Sequence, residues 1–77
     1  QDSILYLKID SEKQDEHSLN HLKQLFKANS GKTKVVLHYE TSKKTIRLGS
    51  EFMIHPNGNL MRILREFLGT DNVVLKE

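Results

Sequence analysis

Two apolar periods alternate along this 77-residue chain, and their order constrains the fold more than any other feature. Over Ile4-Leu5-Tyr6-Leu7-Lys8-Ile9 the period is two. Leu5, Leu7 and Ile9 share one face, and Ile4, Tyr6 and Lys8 the other, as in a half-buried strand. From Glu16 the spacing changes to three and four, and Leu19, Leu22, Leu25 and Phe26 make one apolar helix stripe. Asp15 is placed to cap that helix, and Asp15 and Glu16 suit its positive end. Asn29-Ser30-Gly31 is expected to stop it, with Gly31 in the left-handed conformation beyond the last turn.

Period two returns over Thr33 to Thr41, with Val35, Leu37 and Tyr39 on one face. Ser42-Lys43-Lys44 reads as a turn. A long third strand is expected next, with Ile46, Leu48, Phe52 and Ile54 of one parity, Arg47, Glu51 and His55 of the other, and Gly49-Ser50 as a bulge or bend. His55-Pro56-Asn57-Gly58-Asn59 breaks it and offers Asn57 or Asn59 as the next N-cap. Leu60, Ile63, Leu64, Phe67 and Leu68 form a second helix stripe, Gly69 closes it, and Val73-Val74-Leu75 is a short last strand.

The element order is therefore β-α-β-β-α-β. Each helix has one apolar stripe and each strand one clearly apolar face. The simplest arrangement is an α+β two-layer sandwich, a four-stranded sheet with both helices on one face. Right-handed crossovers put strands one and three in the centre, the ferredoxin-like order 4-1-3-2.

Residues 1–77 suffice for a single domain with a modest core. The chain has no cysteine, so disulfides and thiolate metal sites are excluded, in keeping with a reducing, cytoplasmic setting. Twelve basic and ten acidic residues give a net charge of +2, too even for a dedicated nucleic-acid grip. The apolar runs are far too short for a membrane span. The opening Gln1-Asp2-Ser3 reads as the start of a piece excised from a larger protein.

No residue pattern supplies catalytic machinery. The serines fall at turns, a bulge or a helix face without a nucleophile elbow. Asp10, Glu12, Asp15 and Glu16 cluster in a polar loop leading into a helix, where acids belong for capping rather than acid–base work. His17 and His21 have the i, i+4 spacing of a metal pair, but no third ligand accompanies them, so they read as surface histidines and no metal or other cofactor is expected. Gln24-Leu25-Phe26 resembles a sliding-clamp peptide, yet it lies inside the helix with Leu25 and Phe26 in the core stripe.

Two surfaces remain as candidate binding sites. The sheet face without helices is expected to show Ile4, Tyr6, Lys8, Val36, His38, Arg47, Met53 and Val74, a mixed apolar and polar surface suited to a partner. As an RNA platform it falls short, because Phe52 has core parity and Tyr6 alone is left to stack. Lys32, Lys34, Lys43 and Lys44, with Arg47, gather around strand two and the following hairpin. They suit phosphate contacts, or they protect a sheet edge from unwanted pairing.

The whole pattern resembles a known family. Leu5-Tyr6-Leu7-Lys8-Ile9, then Leu19-Asn20-His21-Leu22-Lys23-Gln24-Leu25, then Ser30-Gly31 leading into Val35-Val36-Leu37-His38-Tyr39, is similar to the C-terminal domain of bacterial DNA polymerase III α subunits of the DnaE type. Ile46-Arg47-Leu48-Gly49, the break at Pro56, Leu60 through Leu64, Phe67-Leu68-Gly69 and Val73-Val74-Leu75 keep the family's order and spacing. Asn57-Gly58-Asn59 departs from it, standing where relatives often carry a Ser/Asp-type cap. The resemblance implies a module that follows the OB-fold of the polymerase and docks the τ subunit of the clamp loader. It places the polymerase reaction in another part of the parent chain and leaves contact with DNA as a further expectation.

Overall fold

The computed structural model describes residues 3–77; Gln1 and Asp2 lie outside the described residues. The expected order is present: β1 (Ile4–Ile9), α1 (Glu16–Ala28), β2 (Ser30–Tyr39), β3 (Lys44–Arg47), α2 (Gly58–Leu68) and β4 (Val73–Lys76). Short 3-10 turns occupy Ser11–Lys13, Ser50–Phe52 and Thr70–Asn72. No helix among the described residues is long and apolar enough to cross a membrane.

One core joins both helices to one face of a four-stranded sheet, the α+β two-layer class expected. Leu5, Leu7 and Ile9 of β1, Val35 and Leu37 of β2, and Val73 of β4 meet Leu22 and Phe26 of α1 and Leu60, Met61, Leu64 and Leu68 of α2. Burying each large side chain of this kind contributes about 1.5–3 kcal/mol. The α2 stripe is rotated slightly from its expected position. Met61 is buried, while Phe67 lies at the margin, with the His21 ring at 4.9 Å and Lys13 Nζ at 4.6 Å from its ring.

The strand order is β3-β2-β1-β4, which corrects the expected 4-1-3-2. β1 runs parallel to β2 and antiparallel to β4, and β2 forms an antiparallel hairpin with β3. The physical reason lies in composition. Val35-Val36-Leu37 is buried on three successive residues; Val36, on the face without helices, is shielded by strands on both sides, so β2 takes an interior place. Lys44-Thr45-Ile46-Arg47 is exposed throughout and serves as an edge. Even Ile46, opposite buried Leu37, is 41% exposed.

The third strand is also shorter than the alternation implies. It ends at Arg47, and Gly49-Ser50 begins a 3-10 turn rather than a bulge. The chain then returns to the first half of β2, where Gly31 N–H donates to Met53 O at 3.0 Å and His55 N–H to Asn29 O at 2.7 Å. This pinch corrects the expectation for Gly31. It sits in β2 as a glycine because a Cβ there would lie 2.6 Å from the backbone of Ile54 and His55. Left-handed backbone appears at Gly69 instead, with φ of 101° just beyond α2.

Side-chain caps fix both helix starts. Asp15 accepts from Ser18 N–H at 2.7 Å, and Asn57 from Leu60 N–H at 2.8 Å. The Asn57 amide also donates to Asn29 Oδ1 at 3.1 Å, tying the start of α2 to the end of α1.

Candidate functional site

Alternation on the four strands lays out the uncovered face in cross-strand rows. The central row runs Arg47, Val36, Tyr6, Val74 across β3, β2, β1 and β4. On one side of it Lys34, Ile4 and Lys76 are register partners. On the other side Thr45, His38 and Lys8 pair in the same way. Tyr6 and Val74 are 38% and 43% exposed, while Val36 is buried between its neighbours. Ile4, Tyr6, Lys34, Val36, Arg47 and Leu48 line a shallow depression of about 230 Å³.

The two halves of this face differ electrostatically. In the Lys8 half the charges are internally satisfied. Lys8 Nζ lies 2.8 Å from Glu40, and His38 Nδ1 shares a 3.0 Å hydrogen bond with Thr45 Oγ1. The hydrogen bond to Glu40 raises the Lys8 pKa above its ordinary value and lowers that of Glu40. In the Ile4 half, taken with the central row, Lys34, Arg47 and Lys76 make no ion pair within the described residues. Lys76 instead places its Nζ 5.8 Å from the Tyr6 ring centroid.

Tyr6, Lys8, Val36, His38 and Arg47 thus come together as expected, with Ile4 and Val74. Met53 does not line the depression. The alternation that placed it there ends at Arg47, and Met53 follows the Ser50–Phe52 turn, half-buried, beside Gly31. Lys76 was missed by sequence reasoning, although its parity with Val74 in the last strand signals it.

The expected basic edge is divided. Lys34 and Arg47 belong to the uncovered face. Lys44 is the register partner of Tyr39, so it has the opposite parity, and Lys43 sits in the hairpin turn with φ of 59°. Lys32 is exposed near the start of β2. His17 and His21 remain at the surface of α1, and no group of three His, Cys, Asp or Glu converges among the described residues.

Comparison with known proteins agrees with the resemblance drawn from the motifs. The chain is 37% identical over 73 residues to the DNA polymerase III subunit alpha of Bacillus subtilis (strain 168), a match covering 95% of this chain. It is 36% identical over 73 residues, 92% of the chain, to the subunit of the same name from Halalkalibacterium halodurans. The chain spans 6% of the length of each of these relatives. No family model matches it, and no solved structure matches it significantly. Over nearly its whole length, this chain is related in sequence to one small segment of the bacterial DNA polymerase III α subunit.

Proposed function

We propose that this chain is the C-terminal protein-interaction domain of a DNA polymerase III α subunit acting in bacterial DNA replication, and that its uncovered sheet face docks the polymerase to the τ subunit of the clamp loader. The observation that carries this reading is the asymmetry of the sheet. Both helices pack on one side, and the other side keeps Tyr6 and Val74 exposed, with half-buried Ile4 and buried Val36 as a floor, beside Lys8, His38 and Arg47. An apolar patch with a polar rim is the usual form of a protein-binding surface. In this reading the polymerase reaction belongs to the rest of a cytoplasmic parent chain that includes an OB-fold. The segment contributes attachment, and neither a metal nor another cofactor enters its role.

Calorimetric titration of the 77-residue chain with τ is the test. Heat of binding saturating at tens of micromolar or below is expected, a range that suits a tether. Absence of heat at those concentrations argues against it. A second reading, DNA contact through the hairpin, draws on the exposure of Lys32, Lys34, Lys43 and Lys44. It requires salt-sensitive binding to primed or single-stranded DNA that falls when Lys43 and Lys44 are changed to Glu.

A further inference from the structure

The two halves of the uncovered face differ in a way that specifies the chemistry of an occupant. We propose that the Ile4 half is a docking site for a short acidic peptide segment carrying an apolar side chain. This deepens the docking reading above and rests on it for the partner's identity, though not for the chemistry.

Charge complementarity carries the inference. Three cations surround an apolar floor from three different strands: Arg47 on β3, Lys34 on β2 and Lys76 on β4. Between them lie Ile4, Tyr6 and Val36. None of the three cations forms an ion pair within the described residues, whereas Lys8, one row beyond Tyr6 on the same face, is matched by Glu40 at 2.8 Å. The face therefore compensates charge in one half and leaves it available in the other. The depression of about 230 Å³ is lined by Ile4 and Lys34 of this half, by Tyr6, Val36 and Arg47 of the central row and by Thr45 beyond it, and is large enough for one apolar side chain.

The dimensions agree with a peptide. Four strands at the usual inter-strand spacing put Arg47 and Val74 about 14 Å apart, the reach of roughly four residues of extended chain. Carboxylates beside an apolar anchor would meet Lys34, Arg47 and Lys76 while the anchor fills the depression against Tyr6 and Val36. Lys34 and Lys76 flank Ile4 as register partners, so the cationic rim is fixed by strand pairing rather than by loops. A nucleic acid also offers negative charge, but Tyr6 is the single phenyl or phenol ring in the rows of this face and the His38 ring is held by Thr45, whereas single strands are gripped by a series of stacking rings.

The probe is a synthetic peptide with a Phe-Leu pair flanked on each side by two Glu residues, titrated into the 77-residue chain and followed by amide chemical shifts. Its counterpart with Gln in place of Glu and a single-stranded oligonucleotide form the other arms. Expected are shifts at Ile4, Tyr6, Val36 and Arg47, with the Gln counterpart weaker by about tenfold, the combined effect of several exposed charge pairs of modest individual strength. Lys34→Glu combined with Arg47→Glu should weaken the acidic peptide by at least about tenfold while the rest of the spectrum is kept. Equal binding of the Gln counterpart, shifts away from this face, or tighter binding of the oligonucleotide to these residues overturns the proposal. Titration of the same double variant with τ separates the two readings. Unchanged τ binding by a variant that has lost the peptide excludes this half as the τ contact and leaves the docking reading intact. Peptide binding without τ binding does the reverse.

Discussion

The two faces of the sheet are written by alternate residues of the same strands, yet they do opposite things. On the helix-covered face Leu5, Leu7, Val35 and Leu37 are 0–1% exposed and hold the domain together. One residue away on each strand, Tyr6 and Val74 stand about two-fifths exposed, and Lys34 and Arg47 face solvent. The lesson is a division of labour at single-residue resolution. A substitution on the covered face should report on folding, and its neighbour on the uncovered face on binding.

The sharpest way to break this comparison is to open a cavity on the covered face. Phe26 is wholly buried, and Phe26→Ala should cost about 3–5 kcal/mol. That matches the whole margin of a domain this size, so loss of the cooperative denaturation transition is expected. Gly31→Ala comes next. The added Cβ meets backbone that has nowhere to move, and a loss of about 1–3 kcal/mol by urea denaturation is expected. Asn57→Ala removes the α2 cap and the link to Asn29, with a cost of about 1–2 kcal/mol by the same measurement. On the uncovered face, Val74→Ser should change stability by no more than about 0.5 kcal/mol while weakening τ binding. A large stability loss there would dissolve the distinction between the faces.

The smallest effect is on pH dependence. The Ser18 N–H holds the Asp15 pKa below its ordinary value, and Lys8 does the same to Glu40. Depressed folded-state values mean that these stabilising contributions are present above the ordinary carboxylate range and are lost as pH falls through it and below. Lys8 has the opposite sign. Its raised value gives a contribution present up to its ordinary pKa of 10.5 and lost as pH rises beyond the folded value. A melting temperature that declines at the acid end, less steeply in Asp15→Asn, is the expected record.

Much of this was legible in the sequence because it depends on local pattern. The strand and helix periods, the cap at Asp15, the choice of Asn57 or Asn59 for the second cap, the glycine beyond α2 and most of the uncovered face, though not Lys76, follow from spacing. The order of the strands did not, because crossover rules permit more than one arrangement. The deciding signal was the buried run Val35-Val36-Leu37 against the exposed Lys44-Thr45-Ile46-Arg47, which makes β2 central and β3 an edge. Met53 was misplaced for a related reason. The apparent alternation from Ile46 to Ile54 runs through a 3-10 turn, and Ile54 is buried against the start of β2 rather than by continuing β3. Gly31 looked like a helix stop because a close backbone approach from Ile54, distant in sequence, leaves no local trace.

The most direct test of the docking face is an amide chemical-shift map of the 77-residue chain titrated with τ. The expected result is a set of shifts at Ile4, Tyr6, Val36, Arg47 and Val74, with the outward faces of α1 and α2 unmoved. Binding mapped to the helices with the uncovered face silent would contradict it.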